Sequence, residues 1–134
     1  MALEGKTLKV CSCNNTIALD AQRLAAALQA KAPLTVHTEL CRKEASAFQA
    51  ALGDPDLIVA CTQEAPLFTE LAEEAKSQAR LAFANIREYA GWSEEGGQAM
   101  PKIAALLAAA ALPEPEPVPV VSYKSDGQLL VIGP

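Results

Sequence analysis

Aromatic side chains are scarce in this sequence: they make up 4% of the 134 residues, with one tryptophan, and there is a single histidine. A core must therefore be assembled from Leu, Val, Ile and a large complement of Ala. Nucleophilic cysteine chemistry has only one imidazole to draw on, His37. Clustered basic charge is also missing. Eleven Lys and Arg are scattered among sixteen Asp and Glu, for a net charge of −5, which leaves no patch suited to counterion release on nucleic acid. No apolar stretch long enough to span a bilayer is free of charge, and the Ala-rich run from Ile103 to Leu112 is too short to cross. The opening Met1-Ala2-Leu3-Glu4-Gly5-Lys6-Thr7 lacks the basic and apolar regions of a secretory signal. The expected location is the cytoplasm, where the four cysteines are thiols or metal ligands before they are structural disulfides.

What is present is the balance of a folded domain, 51% hydrophobic and 20% charged, in a chain long enough for one core. Leu57-Ile58-Val59-Ala60 is a short apolar run between Gly53-Asp54-Pro55 and a pre-proline break, so it predicts a buried strand with Cys61 as the first residue beyond it. Leu8-Lys9-Val10 predicts a strand running into Cys11-Ser12-Cys13, followed by a helix with Leu24 and Leu28 one turn apart and Asn15 or Thr16 as its N-cap. Leu34 to Leu40 alternates and is β-branched, and it ends at Cys41. A second helix carries Ala47, Phe48, Ala51 and Leu52 on one stripe and stops at Gly53. The third unit is the strand ending at Cys61 and a helix opening at Pro66, with Leu67, Phe68, Leu71 and Ala75 inward. The fourth is Arg80 to Ala84, then a long loop from Asn85 to Gln98, and a helix from Pro101.

Four alternations of strand and helix imply a parallel sheet, because parallel neighbours need crossovers. The expected fold is α/β, a three-layer, Rossmann-like, mostly parallel sheet of order 2-1-3-4 with helices on both faces. Residues 1–112 form this domain. Residues 113–119, Pro113-Glu114-Pro115-Glu116-Pro117-Val118-Pro119, read as a stiff spacer. Residues 120–134 read as a β-hairpin turning through Asp126-Gly127, either packed on the domain or opening a following one.

In that strand order the carboxyl ends of strands 2, 1 and 3 are adjacent. With strands about 4.8 Å apart, Cys41, Cys11 with Cys13, and Cys61 converge within roughly 10 Å at the crevice where ligands bind in such sheets. Four thiolates there suit an iron–sulfur cluster or a tetrahedral zinc. The spacing, a Cys-x-Cys pair with single cysteines twenty-eight and twenty residues further on, matches neither the zinc patterns nor the bacterial ferredoxin run. It leaves open buried inert thiols as well as metal ligands. His37 lies mid-strand and reads as a satisfied histidine. Gly96-Gly97 reads as a flexible loop, since no Gly-x-Gly-x-x-Gly follows a strand.

The frame Cys11-Ser-Cys13-Asn-Asn-Thr-Ile, then Leu40-Cys41, then Val59-Ala60-Cys61-Thr, then Asn85-Ile86-Arg87-Glu88 followed by Trp92, resembles the N-terminal domain of the heterodisulfide reductase A family and related iron–sulfur proteins over residues 8 to 112. The resemblance implies one [4Fe–4S] cluster on Cys11, Cys13, Cys41 and Cys61. It also implies single-electron transfer to flavin- or ferredoxin-containing modules, in the same polypeptide or on another protein. The chain departs from the family at Asn14, where the family has Gly, at Tyr89, where it has His, and at Ala90, where it has a fifth cysteine. Around the cluster, Asn14 and Thr62 are candidate hydrogen-bond donors to sulfur. Arg87 is a candidate counter-charge or an ion-pair partner of Glu88, and Trp92 is a roof over the site or a plug in the Ala-rich core. The alternatives are zinc or no cofactor: a cluster-free interaction or scaffolding domain that docks partners through its acidic surface, or a thiol-based redox protein.

Overall fold

The computed structural model describes residues 3–134. Four parallel strands form one sheet in the order β2-β1-β3-β4: β1 Thr7–Cys11, β2 Val36–His37, β3 Asp56–Ala60 and β4 Arg80–Phe83. The helices are α1 Ala21–Ala27, α2 Ala45–Gln49, α3 Ala65–Glu74 and α4 Met100–Ala110. Alternation along the strands divides the core in two. On one face Val10 and Ala60 pack under Leu24 and Leu28 of the α1 segment and Ile103 and Leu107 of α4. On the other, Leu57 and Val59 pack under Phe48 of α2 and Phe68 of α3, whose rings meet at 4.7 Å between centroids. The strand order and the helices on both faces are those expected from the sequence.

Several local expectations are corrected. The N-cap of α1 is Asp20, whose carboxylate accepts from the N–H groups of Gln22 and Arg23 at 2.9 Å each. Asn15 and Thr16 are occupied instead in a turn before it. Strand β2 does not run from Leu34 to Leu40. It is two residues long, because Glu44 draws the N–H groups of Thr38 and Glu39 away from the ladder, at 2.6 and 2.7 Å. His37 therefore ends the strand rather than sitting within it, buried with Nδ1 3.2 Å from Glu44 Oε1. Helix α2 is a five-residue segment, and Ala51 and Leu52 are buried from the turn that follows it. In α3 Phe68 and Ala72 are buried and Leu71 packs against the same core, while Ala75 is exposed.

The expected loop from Asn85 to Gln98 is largely helical: a π-turn over Arg87–Gly91 and a 3₁₀ turn over Gly96–Gln98. Gly91 N–H bonds to Ile86 O at 2.8 Å and Trp92 N–H to Arg87 O at 2.9 Å, the five-residue spacing of a π-turn. Gly96-Gly97 is not simply a flexible pair, because Gly96 is buried against the Gly91 carbonyl, where a Cβ would overlap it.

The hairpin over 120–134 is not formed. Gly127 takes a positive φ of 77° and its N–H reaches Ser125 Oγ, so the chain bends there. Its flanks are extended without a ladder, with Val120 94% and Ile132 86% exposed. Two strands with no third partner are marginal in water. Among the described residues no helix is long and apolar enough to cross a membrane.

Candidate functional site

The register of the sheet levels the cysteines. Val10 pairs with Ala60, so Cys11, the last residue of β1, and Cys61, the first beyond β3, come at the same height on neighbouring strands. Cys41 stands four positions past the end of β2, at the close of a loop that Glu44 holds in place. Cys11, Cys41 and Cys61 lie on the α2/α3 side of the sheet, and Cys13 packs toward the α1/α4 side. All four border one cavity of about 310 Å³ at the carboxyl ends of β2, β1 and β3. The strand order thus brings all four cysteines to the border of one cavity.

Cys11 is the hub. Its sulfur receives the N–H groups of Cys13 at 3.4 Å and Leu40 at 3.5 Å, and its thiol donates to Thr38 O at 3.3 Å. One sulfur therefore ties the Cys-x-Cys bend to the Cys41 loop. Cys13, Asn14 and Asn15 have φ of 51°, 57° and 60°, three successive left-handed residues. Asn tolerates this region better than other side chains, and Gly better still. The Asn14-for-Gly departure is therefore compatible with the backbone the bend requires. Ser12 Oγ, which receives the Asn15 N–H at 3.2 Å, helps close the bend.

Arg87 leaves the π-turn and reaches the cavity. Its Nη1 is 3.6 Å from Cys13 Sγ, Nη2 donates to Gln63 Oε1 at 3.1 Å, Nε donates to Glu88 Oε1 at 2.6 Å, and the guanidinium lies 4.3 Å from the centre of the Trp92 ring. The contacts with Cys13 and Glu88 raise its pKa further, and Arg87 holds the Glu88 carboxyl below its ordinary range. Arg87 is thus the ion-pair partner of Glu88 and stands beside Cys13 as well.

Asn14, Thr62 and Arg87 line the cavity, and of the three only Arg87 reaches a cysteine sulfur. Trp92 does not line it. It is 52% exposed, neither roofing the cavity nor plugging the core, and its Nε1 donates to Thr16 Oγ1 at 2.9 Å. Ala90 is fully buried in the α1/α4 core and does not line the cavity. The four cysteines are the thiols that do.

Burial pushes the Cys41 thiol up, helped by the charges of Glu64, Cys61 and Cys11. It pushes Cys61 up as well, against a backbone hydrogen bond from Glu64 and the charge of Arg87. Thiols held protonated are poor nucleophiles, whereas ligation to a metal draws the proton off. All four cysteines are free. Among the described residues no group of three or more His, Cys, Asp or Glu is gathered as a single-ion site requires.

A set of four thiols suits soft, sulfur-binding metals such as zinc or iron–sulfur clusters. Leu40, Phe68 and Ile17 give the cavity an apolar wall. Sequence patterning does not mark Glu44, the residue that shapes the Cys41 loop. Its only sign there is a carboxylate a few residues past a strand whose N–H groups lack a partner. Comparison of the chain with protein-family models, with curated proteins and with solved structures finds no match.

Proposed function

We propose that the chain is a cytoplasmic electron-transfer module that binds one [4Fe–4S] cluster through Cys11, Cys13, Cys41 and Cys61. It serves a flavin- or ferredoxin-containing redox assembly and catalyses no reaction of its own. The observation that carries this reading is that every cysteine of the sequence borders one cavity, delivered by three neighbouring strands. The cluster, when bound, supplies a one-electron couple whose potential depends on hydrogen bonds to sulfur and on solvent access. The chain's own residues set both. The N–H groups of Cys13 and Leu40 point at Cys11, Arg87 carries positive charge beside Cys13, and Leu40, Phe68 and Ile17 keep water from one wall.

Anaerobic incubation with iron and sulfide tests the reading. About four irons and four acid-labile sulfides per chain are expected, with both lost in Cys61→Ser. A protein that stays colourless and iron-free under these conditions, or that binds one zinc tetrahedrally, contradicts it. The free state of all four cysteines favours a second reading, a thiol-based redox protein. That reading requires one thiol to alkylate much faster than the rest. The raised Cys41 and Cys61 thiols oppose it for those two positions.

A further inference from the structure

Among the described residues up to Leu112, three large apolar side chains are exposed: Leu112 at 64%, where the chain leaves α4, and the neighbouring pair Tyr89 at 62% and Trp92 at 52%. Tyr89 and Trp92 belong to the π-turn and its cap, the element that also sends Arg87 into the cysteine cavity. Trp92 is held rather than loose. Its indole N–H is fixed on Thr16, whose hydroxyl donates to Cys13 O at 2.7 Å, and the Arg87 guanidinium lies over its ring. Two short routes therefore join an exposed ring to Cys13, one through Arg87 to the sulfur and one through Thr16 to the backbone.

The surroundings of the two rings are acidic. Glu94 and Glu95 are exposed and make no ion pair with a described residue, Glu88 is exposed and paired with Arg87, and no Lys or Arg occurs between Glu88 and Pro101. The nearest cation, Arg87, is already engaged by Glu88, Gln63 and Cys13. An exposed aromatic pair with an acidic border matches the apolar centre and charged rim of a transient protein interface.

We infer that Tyr89 and Trp92, bordered by Glu88, Glu94 and Glu95, form the docking face for a redox protein that presents its cofactor through a Lys/Arg-rimmed surface. That the partner is a redox protein rests on the cluster reading, whereas the face itself does not. Docking there brings the partner to the side of the cavity bordered by Arg87 and Cys13.

The sole tryptophan is Trp92, so its fluorescence reports the face without a cluster in place. Titration with cytochrome c, a basic haem protein, at low ionic strength should quench it saturably, in both the metal-free and the reconstituted chain. An acidic flavodoxin should not bind. Glu94→Lys with Glu95→Lys should weaken binding by about tenfold or more, and added salt should do the same, as steering by exposed charge requires. Tyr89→Ser should weaken it with little change in salt dependence. Circular dichroism and, after reconstitution, iron content serve as checks that the variants remain folded and loaded.

Equal binding by the charge-reversed variant, or tighter binding of the flavodoxin, overturns the docking face. A chain that takes up no iron on anaerobic reconstitution yet binds in this charge-dependent way upholds the face and overturns the cluster reading. Normal iron content with variant-insensitive binding does the reverse.

Discussion

Glu44 Oε2 accepts from two backbone N–H groups, Thr38 and Glu39, and from the Thr38 hydroxyl at 3.1 Å, while Oε1 faces His37. These bonds, the backbone ones first, hold its carboxyl at about 2 against an ordinary value near 4.5. A lowered folded pKa means that the charged form stabilises the fold above the ordinary value, and that this contribution is lost as pH falls from about 4.5 to about 2. Glu44→Gln should therefore unfold at lower urea than the parent at pH 7, and the gap should close over that acid range. A gap independent of pH would show that shape, not charge, matters at this position. Arg87 is the other residue with a measurable duty. In the reconstituted protein Arg87→Met should leave the iron content intact and lower the reduction potential by about 60 mV, if one charge-assisted hydrogen bond of ~1.4 kcal/mol is lost. An unchanged potential in a redox titration would remove Arg87 from the site. The cysteines are legible in the sequence because each stands after a strand signal. Glu44 is not, since its partners are backbone groups that carry no side-chain signature.

At the scale of elements, the strand order is legible from the alternation of apolar runs with helical stripes, because a parallel sheet admits few topologies. The π-turn is not. Five-residue spacing leaves no familiar periodicity, and Ala90 and Gly91 read as loop. Their smallness has a packing cause, since a Cβ on Gly91 would stand 2.5 Å from Ile17 Cγ2, and Ile17 also lines the cavity. Gly91→Ala should cost about 1–3 kcal/mol in chemical denaturation. Gly97→Ala, with nothing within 4 Å, should be close to neutral. Equal effects from the two would mean that the π-turn has room to adjust. The left-handed bend at Cys13, Asn14 and Asn15 is also hidden, because its side chains suit a helix cap equally well and only the backbone distinguishes the two uses.

For the whole molecule, the two-faced core ends with α4, and the segment beyond it contributes little. Apart from the 3.9 Å approach of Glu114 to Arg80, the described residues beyond Leu112 make no ion pair with the domain. Removing residues 113–134 should shift stability by no more than about 0.5 kcal/mol, the usual range for surface changes, and should leave iron uptake unchanged. A large loss would mean that the apolar runs at 120–123 and 128–132 cover the domain in solution. The hairpin expectation fails because Asp126-Gly127 encodes a turn locally, while a ladder needs partners that lie outside local sequence. The acidic balance of the chain is legible from composition, but its concentration beside Tyr89 and Trp92 emerges only once the π-turn is in place.

The most direct measurement of the central claim is iron-edge X-ray absorption on the anaerobically reconstituted protein. Four thiolates holding a cubane predict an all-sulfur first shell around iron and a distinct shell of iron neighbours, both absent from Cys61→Ser. A first shell of nitrogen and oxygen, or sulfur ligation without iron neighbours, would contradict the account.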